Sequence, residues 1–138
     1  MASSIVVGFD GSAGSRAALD TGVELAGRFG DPLLIVFGAG PPGGVGDEAR
    51  AHRAAIEERG EQVTAEAVER ARDGGVEVEL VISHERPSEA LRTVAAEREA
   101  RFIVVGSRGE GPFRRAFTGS VPHKLLETAE VPVVVVRG

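Results

Sequence analysis

Three glycines near the carboxyl end stand in the run Gly106-x2-Gly109-x9-Gly119-Ser120. Glycine lets the main chain approach an oxyanion closely and adopt positive φ. A helical pattern opens at about Thr118. Free N–H groups at a helix start, aided by the helix dipole, favour a phosphate. The Ser120 hydroxyl adds a donor, and Arg108, Arg114 and Arg115 would add charge-assisted bonds to phosphate oxygens. Near the amino end, the run Gly8-Phe9-Asp10-Gly11-Ser12 closes an apolar stretch. Asp10 there would accept a hydrogen bond from a ribose hydroxyl or an adenine amino group. Each feature also has a plain structural use: tight turns for the glycines, a helix cap for Asp10, a solvated pair for Arg114 and Arg115. The complete glycine spacing favours the ligand reading.

Those residues must be positioned by regular elements. Five apolar, β-branched runs read as strands: Ile5–Val7, Leu33–Phe37, Val76–Ile82, Phe102–Val105 and Val131–Val136. Four are nearly continuous in apolar character, which suits strands buried on both faces. The third alternates Val76, Val78, Leu80 and Ile82 with Glu77, Glu79 and Val81, as a half-covered edge would. Helical patterns alternate with the strands. Ser12–Phe29 carries Ala18, Gly22, Leu25 and Phe29 on one stripe, with Ser12 or Ser15 to cap its start and Gly30 its end. Asp47–Arg72 is charged and alanine-rich, with Ile56, Val63 and Val68 as its apolar positions and Gly60 expected to weaken or kink it. Ser88–Arg98 and Thr118–Thr128 complete the set, with Pro122 in the first turn of the last helix, where proline is tolerated. The order β-α-β-α-β-α-β-α-β predicts an α/β domain with a parallel sheet and right-handed crossovers. In such sheets ligands bind beyond the carboxyl ends of the strands, where the winding reverses. If the first and fourth strands are neighbours there, Asp10 and Gly106 face one crevice. Gly38–Gly46 reads as a mobile loop.

The bulk properties exclude other chemistries. The chain has 138 residues, the size of one domain, with 42% hydrophobic and 27% charged residues, an ordinary globular balance. It has no cysteine, so disulfides, thiolate metal sites and cysteine nucleophiles are excluded. Its formal charge of −5 argues against a nucleic-acid partner. His52, His84 and His123 are too widely spaced for a metal signature. No apolar run approaches the ~20 residues that a bilayer span needs, so no membrane association is expected. Met1–Ser4 lacks the basic start and apolar run of a signal peptide, and a cytoplasmic protein is expected.

The glycine run, together with its flanking strands, resembles the nucleotide-binding motif of the universal stress protein family. Ile5-Val6-Val7-Gly8-Phe9-Asp10-Gly11-Ser12 is similar to that family's first strand and turn. Phe102-Ile103-Val104-Val105-Gly106-Ser107-Arg108-Gly109 matches its fourth strand, and Val131–Val136 its last. The resemblance covers residues 1–138 as one nucleotide-binding domain and is least in the middle helix and the loop after the second strand. It implies a Rossmann-like, five-stranded parallel sheet of order 3-2-1-4-5 with helices on both faces. It implies ATP or AMP as ligand; the sequence leaves open whether a divalent metal accompanies the phosphates, and Mg2+ would come with the nucleotide. The contacting residues would be Gly8, Phe9 and Asp10, Gly38 at the base, and Gly106, Arg108, Gly109, Gly119, Ser120 and Val121 at the phosphates. A homodimer through the last strand, Val131–Val136, is implied as well. An uncovered apolar edge strand would favour it, because pairing with a second copy removes the exposed edge. Two positions depart from the family pattern: Pro122 stands where a hydroxyl residue is common, and Gly38 where a bulkier apolar residue meets the base.

Three functions compete. The leading one is a nucleotide-binding regulatory protein of the stress-response type, in which ATP shifts the choice of partners. No G-x4-G-K-[ST] loop is present, which excludes a P-loop mechanism and leaves at most slow hydrolysis. The second, an adenylyl-transferring enzyme, would show a Ser-Gly-Gly-x-Asp-Ser turn or a His-x-Gly-His pair, and neither is present. The third is a structural dimer module without nucleotide. A phosphoacceptor receiver domain would need paired acids after the first strand and a lysine after the fifth, and both are missing.

Overall fold

Apolar runs bounded by glycine, proline and charged residues become five parallel strands, and the segments between them become helices. The structure is a computed structural model that describes residues 3–40, 45–107 and 120–137. The element order is β1 (Ser4–Gly8), α1 (Ala13–Phe29), β2 (Leu33–Gly38), α2 (Asp47–Asp73), β3 (Val78–Ser83), α3 (Pro87–Glu97), β4 (Ala100–Gly106), α4 (Ser120–Thr128) and β5 (Val133–Val136). The sheet order is β3-β2-β1-β4-β5, as expected. The winding therefore reverses between β1 and β4, which pair in parallel with Val7 opposite Val104.

Alternation along the strands divides the core between two faces. Ile5, Val7, Leu33, Ile35 and Val104 pack under α1 and α2, with Ala18, Leu19, Ala26, Ala67 and Ala71. Val6, Leu34, Val36, Ile103 and Val105 pack under α3 and α4, with Leu91, Val94 and Leu125. The central strands are buried on both sides, whereas β3 at one edge and β5 at the other are only partly covered.

Helix α1 begins because Ser12, in extended conformation, accepts from the Ser15 N–H at 3.2 Å. It ends at Gly30, whose φ of +71° is the left-handed cap that glycine supplies. Phe29, expected on the buried stripe, is 46% exposed. It lies instead between the Arg101 guanidinium, 4.4 Å from its ring centre, and the Phe102 ring at 5.7 Å. Arg101 also holds Asp31 at 2.8 Å.

Helix α2 corrects the expectation for Gly60. The helix runs unbroken through it, and Gly60 is buried. A Cβ there would meet Phe37 at 3.0 Å and Ile82 at 3.1 Å, so the glycine lets the helix lie close on the sheet. The buried stripe of α2 is Gly60, Thr64, Ala67 and Ala71, small residues at helical spacing. The buried Thr64 hydroxyl is satisfied by donating to the Gly60 carbonyl at 2.7 Å. Most of the first three turns of α2 are exposed. No helix among the described residues is long and apolar enough to cross a membrane.

Candidate functional site

The site is built where β1, β2 and β4 end. After β1, the chain turns through Gly11, whose φ of +88° favours glycine. The turn is fixed by Asp10, whose Oδ1 accepts from the Ser12 N–H at 2.9 Å. Asp10 thus organises the entry to α1 while Ser12 caps it. Its carboxylate is held at the carboxyl edge of the sheet and is exposed. Continuing the β1–β2 register from Gly8 opposite Val36 sets Asp10 beside Gly38. Continuing the β1–β4 register sets Phe9 beside Gly106. Asp10, Gly38 and Gly106 therefore share one edge.

The flanking residues divide into main-chain and side-chain contributors. Phe9 is 3% exposed and its ring belongs to the core beneath α1 and α2, so at the edge it offers backbone alone. Its N–H is spent on the Val36 carbonyl at 3.0 Å. Gly8 gives room to Leu91 of α3, which would stand 3.1 Å from a Cβ. Gly106 is packed against the first turn of α1: a Cβ there would lie 2.5 Å from the Gly14 carbonyl carbon and oxygen. Gly14 carried no signal of its own in the sequence, and the tertiary contact with its backbone explains why residue 106 is glycine.

Gly38 has a comparable cause. A Cβ at Gly38 would fall 2.8 Å from the Pro87 Cα and 3.1 Å from the Glu85 carbonyl. The loop after β3 folds over the end of β2, and two main-chain bonds tie them together. Ala39 N–H donates to Ser83 O at 3.2 Å, and Gly40 N–H donates to Glu85 O at 2.9 Å. The departure at Gly38 is thus matched by the backbone of Glu85–Pro87. In the same loop His84 meets Glu57 of α2 through Nε2 at 3.2 Å, and its Nδ1 is buried without a partner among the described residues. Sequence reasoning missed this loop because Ser83-His84-Glu85-Arg86 carries no motif.

Across the crevice, α4 starts at Ser120. Val121 behind it turns its side chain toward the core, leaving its main chain at the helix start. Pro122 is buried in the first turn and removes one N–H from that end. Arg108, Gly109, Arg114, Arg115 and Gly119, assigned to phosphates by the sequence pattern, lie outside the described residues.

The electrostatics of the four helix starts differ. The first turns of α2 and α3 carry acids, Asp47 and Glu48 in one and Glu89 in the other. Those of α1 and α4, which flank the β1–β4 crevice, carry none. No carboxylate in their own turns offsets the positive ends of these two dipoles. Asp10, however, stands just before α1 and accepts from the Ser12 N–H. The start of α4 is therefore the less compensated of the two and favours an anion. A groove of about 420 Å³ lies at the opposite, amino-terminal pole, between α3 and α4. Ile103 and Val131 line it, with Glu97 and Glu130, and it contains none of the candidate site residues at the carboxyl edge. Among the described residues no cluster of histidine and carboxylate side chains could hold a metal ion.

Comparison with known proteins agrees with this fold. A universal stress protein of Thermus aquaticus is 33% identical over 142 residues, covering 99% of this chain and all of the relative. A universal stress protein crystallised in complex with cAMP is 27% identical with a TM-score of 0.74, over 99% of this chain and 97% of that one. The universal stress protein from Archaeoglobus fulgidus in complex with dAMP is 26% identical with a TM-score of 0.71, over 96% of each chain. The model of the universal stress protein family matches residues 1–137, and the chain belongs to that family.

Proposed function

We propose that the chain is a regulatory protein that binds an adenine nucleotide, ATP or AMP, across the carboxyl edge of its sheet. The observation that carries this reading is the pair of helix starts without first-turn acids, α1 and α4, on either side of the β1–β4 crevice. The cAMP and dAMP complexes of similar proteins support it. In this reading the phosphates meet the main chain at Ser120 and Val121, together with the glycines of the Gly106-x2-Gly109-x9-Gly119 run. Mg2+ would neutralise phosphate charge and keep several of its waters. Asp10, one oxygen fixed by Ser12, accepts from the ribose or the base. The base lies over the end of β2, at Gly38. The nucleotide acts as a ligand, and its bound population sets which partners are held.

A homodimer through β5 is part of the proposal. Val133, Val134 and Val136 are half-buried and Val135 is 37% exposed, on an outer strand whose far side pairs with nothing described. Isologous pairing with a second copy would cover that edge.

The test is a thermal-shift titration with ATP, AMP and GTP. A ligand of the native state adds RT ln(1 + [L]/Kd), about 2.7 kcal/mol at a hundredfold excess over Kd. A rise with ATP or AMP that exceeds the rise with GTP is the expected result. No rise at millimolar ATP with magnesium defeats the proposal and leaves the structural dimer module.

A further inference from the structure

We infer that Arg86, in the loop after β3, closes over the nucleobase and is a positioning residue for the purine; this rests on the nucleotide reading above. Three observations point to it. The loop is tied to the end of β2 by the Gly40 N–H to Glu85 O bond and by the close packing of Gly38 on Pro87. The Arg86 Cγ lies 3.9 Å from where a Cβ on Gly40 would stand, which places the stem of the side chain beside the end of β2. Arg53, Arg59, Arg72, Arg86 and Arg92 meet no carboxylate among the described residues, and of these Arg86 is the one whose stem lies beside Gly40 at the end of β2.

Strand spacing decides which part of the ligand it meets. β3 and β4 are three intervals apart in the sheet, about 14 Å, beyond the reach of one side chain. A nucleotide with its phosphates at β4 and α4 therefore brings its base, not its phosphates, to the rim formed by β2 and the loop after β3. A planar guanidinium stacks on an aromatic face, and lysine does so less well.

The test compares wild type, Arg86→Ala and Arg86→Lys by calorimetric titration with adenosine, AMP and ATP. The substitution is on an exposed loop residue, and the unliganded melting temperature checks that the fold is kept. Arg86→Ala is expected to weaken all three ligands by a similar factor, about three- to tenfold, with Arg86→Lys recovering only part. A loss that grows from adenosine to AMP to ATP would show a phosphate contact and overturn the inference. Wild-type affinity in Arg86→Ala would overturn it too, while leaving nucleotide binding intact. Wild-type protein that binds none of the three defeats the underlying reading and this inference with it.

Discussion

Gly106→Ala tests the contact on which the crevice is built. The added Cβ would stand 2.5 Å from the Gly14 carbonyl carbon and oxygen and 2.9 Å from its Cα, against 3.4 Å for ordinary contact. All three atoms are main chain, so no rotamer change relieves the overlap. The end of β4 and the first turn of α1 must separate by about 0.9 Å, the difference between those distances. Overpacking of this kind costs about 2–3 kcal/mol. Replacing a strand glycine by alanine returns about 0.5–1 kcal/mol. The net loss is about 1–2.5 kcal/mol, which for a domain of this length lowers the melting temperature by roughly 3–10 °C. Gly27→Ala is the matched control, since its Cβ would find only Val76 at 3.9 Å, in a helix that prefers alanine. It is expected to raise the melting temperature by about 2–4 °C. Calorimetry on the two variants reads both signs. Gly106→Ala melting like wild type would refute the close approach of β4 to α1.

Further outcomes follow from the same packing. Ser12→Ala removes the cap of α1 and costs about 1 kcal/mol in urea unfolding, with Ser12→Asp recovering most of it. Gly38→Ala pushes the Pro87 backbone away and weakens the Gly40 to Glu85 bond, so hydrogen exchange at the Gly40 amide accelerates. The hydrogen bond from Arg98, with its charge, holds the Glu79 carboxyl below its ordinary range. The stability this contributes is present at neutral pH and is lost as pH falls through the lowered folded value. Glu79→Gln flattens that acid limb in a pH series of urea titrations. Because both groups are largely exposed, added salt shrinks the difference.

The strands were legible because a strand covered on both faces must be continuously apolar, and Leu33–Phe37 and Phe102–Val105 are. The alternation of Val78, Leu80 and Ile82 with Glu79 marked an edge, and β3 is one. Element ends were less legible: β3 begins at Val78, after the Gly74-Gly75 turn, and β5 begins after Pro132. Periodicity read α2 only in part because it weighs large apolar residues: Val63 and Val68 do pack against the core, but the helix lies closest to the sheet on Gly60, Thr64, Ala67 and Ala71. Phe29 was assigned to the core by its spacing, yet a helix's last turn can leave the sheet, and here the ring meets Arg101 instead. Of the candidate site, Asp10 and Gly106 were found because they end strands. Gly14, His84, Arg86 and Pro87 were not, because their roles depend on contacts between segments distant in the chain.

Gly106 also shows why a glycine in a ligand motif has to be weighed twice. Its missing Cβ faces the Gly14 backbone, so the glycine is required by packing whether or not a phosphate binds. That packing has an electrostatic consequence. It presses the first turn of α1 against the end of β4, the strand whose following segment leads into α4, and α1 brings no first-turn acid to that edge. Two helix starts thereby face the edge where β1 and β4 end, one of them already met by the Asp10 carboxylate, and the start of α4 is the one that an anion would offset. Loss of nucleotide affinity in Gly106→Ala would then reflect displacement of α1 as much as loss of a phosphate contact. A substitution that separates the two must leave Gly14 and Gly106 in contact, as Asp10→Asn does. It keeps the side-chain oxygen that accepts from Ser12 while removing the charge offered to the ligand. If Asp10→Asn melts like wild type but binds adenosine more weakly, Asp10 acts on the ligand; if melting and affinity fall together, it acts on the turn.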